Sequence, residues 1–97
     1  MRSDGLSDQI ILQQRGAQAW QTVATLPARV TAIEGDDTIT QKVTIRAYPL
    51  ISADMRVLYK TAGQIQILQI RAIVEEQHGA QMALACLAVG ALHYASG

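Results

Sequence analysis

Two histidines, one cysteine and a few clustered carboxylates are the residues with which this chain could do chemistry. His78 precedes Gly79 in a turn-forming stretch, and His93 stands close to the C-terminal end. A solvated turn position is the plain reading of the first, a place in a loose tail that of the second. Cys86 lies among Leu84, Ala85 and Leu87. A free thiol in an apolar run is a small buried hydrophobe, and no basic neighbour is present to lower its pKa. No Cys/His pair has metal-ligand spacing. Glu75-Glu76 and the group Glu34, Asp36 and Asp37 could hold a cation only with the alternating oxygen ligands and terminal glutamate of a calcium loop, which are missing. They read as solvated turns. The glycines are scattered and form no phosphate-cradling loop. Arg46, Arg56, Lys60 and Arg71 are distributed over several strand-like segments without the interleaved aromatics that stack bases, so they read as surface positions. The expectation is a protein with no catalytic residues, no metal and no cofactor, hence not an enzyme.

Composition bounds the elements that would position these residues. Ninety-seven residues make one domain. Half of them are apolar, which is globular and not disordered. Eight basic and eight acidic residues cancel, against the Lys/Arg excess of a nucleic-acid clamp. The single cysteine can make no internal disulfide. Met1-Arg2-Ser3-Asp4-Gly5 lacks a secretory apolar core, and Met82–Leu92 has about half of the roughly 20 residues that span a bilayer. The expectation is an intracellular chain with no membrane partner.

Hydropathy alternates with period two in three places, the mark of a half-buried strand. Ala28, Val30 and Ala32 alternate with Arg29 and Thr31; Val43, Ile45 and Ala47 alternate with Lys42, Thr44 and Arg46. Gln64-Ile65-Gln66-Ile67 also alternates, but from Leu68 the apolar phase flips to Leu68, Ile70 and Ala72. One extra residue near Ile67–Leu68 predicts a β-bulge. Pro27, barred from a central ladder position, predicts a bend or an edge. Glu34–Asp37, Tyr48–Asp54, Thr61–Gly63 and His78-Gly79 are turn or loop signals. Gln81–Leu87 is built of strong helix formers, yet it is short and follows a hairpin-like turn, so propensity leaves helix and strand both open. The pattern predicts an all-β fold, a small barrel or sandwich of about six short, mostly antiparallel strands.

The order of segments adds a resemblance. Trp20-Gln21-Thr22-Val23-Ala24-Thr25-Leu26-Pro27-Ala28-Arg29-Val30 resembles a signature of the phage head–tail joining (head closure, or stopper) proteins. Their pattern is a Trp-bearing strand leading through "V-A-T" into a second strand reading "A-x-V". The resemblance resumes at Val43–Ala47, in Ser52-Ala53-Asp54-Met55-Arg56-Val57-Leu58-Tyr59, and in the Gly63–Leu68 turn and strand, and it covers about Ile10 to Val89. It implies a small β-barrel over about residues 10–89 with flexible tails at 1–8 and 90–97, a closing strand at Gln81–Val89, and Trp20 as a core anchor at a strand start. It further implies a structural virion protein, a sixfold or twelvefold homo-oligomeric ring that joins the portal or adaptor above to a tail protein below. Packaged DNA would pass through the ring without sequence-specific binding. The family's long loop between the second and third strands shrinks here to about Ile33–Gln41, and a channel-facing position for Glu34, Gly35, Asp36 and Asp37 is the expectation that follows. Other readings of the same barrel are a tail-terminator-like or baseplate component and an OB-type nucleic-acid module.

Overall fold

The computed structural model describes residues 5–93. Six strands, β1 (Asp8–Arg15), β2 (Trp20–Ala32), β3 (Gln41–Arg46), β4 (Arg56–Thr61), β5 (Gln64–Glu76) and β6 (Gln81–His93), close into a barrel in the order β1-β2-β3-β6-β5-β4. All six pairings are antiparallel. The fold expected from alternation is therefore the one found, with one difference of scale: β2, β5 and β6 each run 13 residues.

Long strands beside short ones stagger the barrel, as closure requires. β2 pairs with β1 through Trp20–Ala28 and with β3 through Ala28–Ala32, so it changes partner at Ala28. Pro27 sits one residue before that change, where no β3 residue pairs with it. Its missing N–H costs no ladder bond on that side, and the strand runs through the proline instead of breaking. Gln81–Val89 forms strand as the resemblance implied, but β6 goes further. Gly90, Ala91, Leu92 and His93, expected as the start of a tail, pair with Ile67, Gln66, Ile65 and Gln64. The long β5 supplies partners for them. At the other end Asp8, expected as tail, begins β1 and pairs with Ala28, while residues 1–4 and 94–97 lie outside the described residues.

Alternation sends one side chain in two inward. Ile10 and Leu12 of β1, Val43 and Ile45 of β3, Val57 of β4, Leu68 and Ile70 of β5, and Leu84 and Cys86 of β6 form one buried cluster. Helix propensity in β6 loses to this packing, because Leu84 pairs with Val43 on one side and Ile73 on the other. The anticipated register shift lies between Ile67 and Leu68, but the unpaired residue is Val89 on β6. Arg71 is a second extra residue, this one on β5, and Val23 a third, on β2 opposite Leu12/Gln13.

The turns carry the conformations their residues permit. Ala62-Gly63 joins β4 to β5 with Gly63 at φ +83° and open space around a hypothetical Cβ there. Gly63→Ala is therefore expected to cost about 1–2 kcal/mol from backbone strain alone, read as a lower urea midpoint at unchanged slope.

Candidate functional site

The tip of the β1–β2 hairpin places Arg15 opposite Trp20, with Gly16 N–H donating to the Ala19 carbonyl at 2.8 Å. The extra residue Val23 decides which way Trp20 points. Simple alternation would put Trp20 on the face of Ala24 and Ala28. The bulge shifts the phase, so that Thr22 pairs with Gln13 on the outer surface and Trp20 follows it. Trp20 is consequently half-buried and absent from the core cluster, which corrects its expected role as core anchor.

Outside the barrel, Trp20 meets two guanidinium groups. The Arg56 guanidinium carbon lies 4.4 Å from the ring centroid and that of Arg15 5.2 Å, both within cation–π range. Arg56 Nε donates to Gln13 Oε1 at 2.8 Å, and Gln13 Nε2 donates to Thr22 Oγ1 at 3.2 Å. The cross-strand row Thr22–Gln13–Arg56–Gln69–Leu87 continues this face around four neighbouring strands from β1 through β6, with β2 at its start. Arg71 Nη1 reaches Gln69 Oε1 at 3.5 Å. An open groove of about 370 Å³ runs beside Trp20 and Arg56, floored by Met55, Ile67 and Val89 and bordered by Asp54. Partial burial holds the Arg56 guanidinium below its ordinary pKa, because no counter-charge offsets its desolvation. Among the described residues no carboxylate lies within ion-pair distance of Arg15, Arg56 or Arg71.

The 33–40 connection presents the opposite charge. It leaves β2, passes Gly35 at φ +81°, and re-enters the sheet where Ile33 N–H donates to the Thr40 carbonyl at 2.9 Å. Asp36 Oδ1 accepts from Thr38 N–H at 2.8 Å, Thr38 Oγ1 at 2.7 Å and Ile39 N–H at 3.2 Å. These bonds favour the ionised carboxylate and hold the Asp36 pKa below the ordinary carboxylate value, the Thr38 hydroxyl contributing most. The turn is thereby fixed, while Glu34, Gly35, Asp36 and Asp37 all remain exposed.

No family model and no curated protein matches the sequence.

The other residues singled out by chemical type are dispersed. Cys86 is fully buried, and desolvation pushes its thiol up to about 12. Such a thiol is no nucleophile at neutral pH. His78 occupies an exposed left-handed turn position, φ 56°, between β5 and β6, and the His93 backbone pairs with Gln64. Glu76 meets Lys42 at 3.2 Å, and Glu75 is exposed. Arg46 and Lys60 are exposed strand residues, as expected. Among the described residues, no three His, Cys, Asp or Glu side chains are grouped to hold a metal ion. What the composition concealed is the pairing of Arg15 with Trp20 and Arg56. The short Arg-Gly-Ala-Gln-Ala-Trp run does signal a hairpin tip with a cation facing an aromatic, but Arg56 comes to it only through the β1–β4 closure.

Proposed function

We propose that this protein is a structural component of a tailed-phage particle, a ring subunit that joins the head to the tail and retains packaged DNA. The observation that carries this reading is the order of the resembling segments. The Trp20–Val30 run lies in the single strand β2, where the pattern expects two, and Val43–Arg46 falls within β3, Arg56–Tyr59 within β4 and Gln64–Leu68 within β5, in chain order. A compact barrel with an outward-facing groove and a short acidic loop is compatible with subunits packed around a lumen. The adaptor above and the tail protein below would dock at the two rims of the ring, with neighbouring subunits in heterologous contact.

Deleting the gene from the phage or prophage that carries it provides the test, read by electron microscopy of the particles produced. Free tails beside heads emptied of DNA are the expected outcome. Normal tailed particles overturn the proposal.

A further inference from the structure

We infer that the groove beside Trp20 is a docking site for the acidic 33–40 loop of a second copy of this chain. The chain is formally neutral, yet one basic pair and one acidic pair of its side chains stand apart without partners. Arg15 and Arg56 line one groove and have no ion-pair partner among the described residues, although Asp54 stands at the groove's border. Glu34 and Asp37 stand exposed on one loop, and no ion pair joins either of them to any described residue. Neutralising each set within the molecule is thus not what the fold does, and a neighbouring copy supplies the matching charge.

Shape and rigidity support the same occupant. The loop tip is open: a Cβ built on Gly35 meets nothing within 4 Å. The triple acceptance by Asp36 fixes the turn in advance and leaves the neighbouring carboxylates of Glu34 and Asp37 as the groups free to dock. A pre-formed loop loses little freedom on binding. In the groove, Arg56 is held by Gln13 and by the Trp20 ring, so its remaining N–H donors are presented in a fixed orientation. Guanidinium forks donate to carboxylates in bidentate geometry, and Met55, Ile67 and Val89 supply an apolar floor beside them. A phosphate backbone would satisfy the arginines too, but it would leave Glu34 and Asp37 unpaired and repel them. Groove and loop are different patches, so the contact is head-to-tail and propagates from copy to copy. Docked in this way, Glu34 and Asp37 lie between copies instead of facing a channel, and the contact rests on charge, shape and rigidity, not on the virion reading.

The test is charge reversal with complementation on the purified full chain. Wild type, R15E/R56E, E34K/D37K and an equimolar mixture of the two variants are compared by sedimentation equilibrium over a wide concentration range. Wild type is expected to self-associate and each variant alone to associate at least about tenfold more weakly, with the mixture restored, since each variant retains the half the other needs. Circular dichroism verifies folding, and R15E alone, at an exposed strand end, replaces the double variant if R56E unfolds. The single tryptophan reports independently, because wild-type emission must shift with association and with a synthetic peptide of residues 33–41. A wild type that stays monomeric, variants that associate like wild type, or a mixture no better than its components overturns the inference. So does Trp20 quenching by a DNA oligonucleotide with no response to the peptide.

Discussion

Leu84→Ala is expected to lower stability by about 2–5 kcal/mol, the range for truncating a fully buried leucine. Leu84 has no exposed surface, and it sits in the strand that lies between β3 and β5. Its cross-strand neighbours are Val43 and Ile73, one on each side. A void there takes contacts from both flanking strands together, and a ring of hydrogen-bonded strands cannot collapse inward to refill it. Domains of this size have only about 5–15 kcal/mol in total. The variant is therefore expected to be largely unfolded at moderate temperature or to show a urea midpoint less than half that of wild type. An unchanged slope would show that the loss is in the native packing. A loss under about 1 kcal/mol would mean that the core around Leu84 closes over the gap.

The second large effect is alkaline. Burial raises the Cys86 thiol from its ordinary 9.0 to about 12, so the folded protein holds a proton that the unfolded chain gives up. The stabilisation is complete below pH 9 and is lost as pH rises toward 12. Within that window the slope approaches about 1.4 kcal/mol per pH unit, and the whole effect is about 4 kcal/mol. Cys86→Ala removes the titration at the cost of a small cavity, which lowers stability by a roughly constant amount at every pH. Wild type is expected to be the more stable of the two at pH 7 and to lose that lead as pH climbs above 9. Parallel pH profiles for the two proteins would show that the thiol ionises without unfolding the barrel. Tyrosines and lysines titrate in the same range, but they are common to both proteins and cancel in the difference.

Several strands could be read in the sequence because each half-buried face leaves a two-residue rhythm. Ala28–Ala32 and Lys42–Ala47 show that rhythm, and the register shift beside Ile67 was visible as a break in it. β6 was not legible in the same way. Its run of Ala, Leu and Met carries no alternation, and only pairing on both sides settles it as strand. Trp20 illustrates a different obstacle. Its orientation depends on one unpaired residue, Val23, three positions away, and nothing in the local pattern distinguishes a bulged valine from a paired one. The groove is less legible still. Arg56 and Arg15 are 41 positions apart and meet over Trp20 only because β1 and β4 close the barrel. Residue types announced the acidic loop, since it is local, while the basic site that faces outward is a product of closure.

The place of β6 in the strand order also sets how the chain must fold. It follows β5 in sequence yet separates β5 from β3, so neither of those strands has its full complement of partners until Gln81–His93 arrives. Emerging from a ribosome in order, β1 to β5 would wait as one open sheet, β3-β2-β1-β4-β5, with bare edges at β3 and β5. Most of the pairing that ends this wait is distant in sequence, which places the closing step among slow, millisecond-to-second events. During that interval the uncharged stretch Met82–Leu92 is itself a free apolar segment with no gatekeeping charge. Yield on expression should therefore depend on how quickly this last segment is captured, and slowing its delivery would favour aggregation even where the finished barrel is stable.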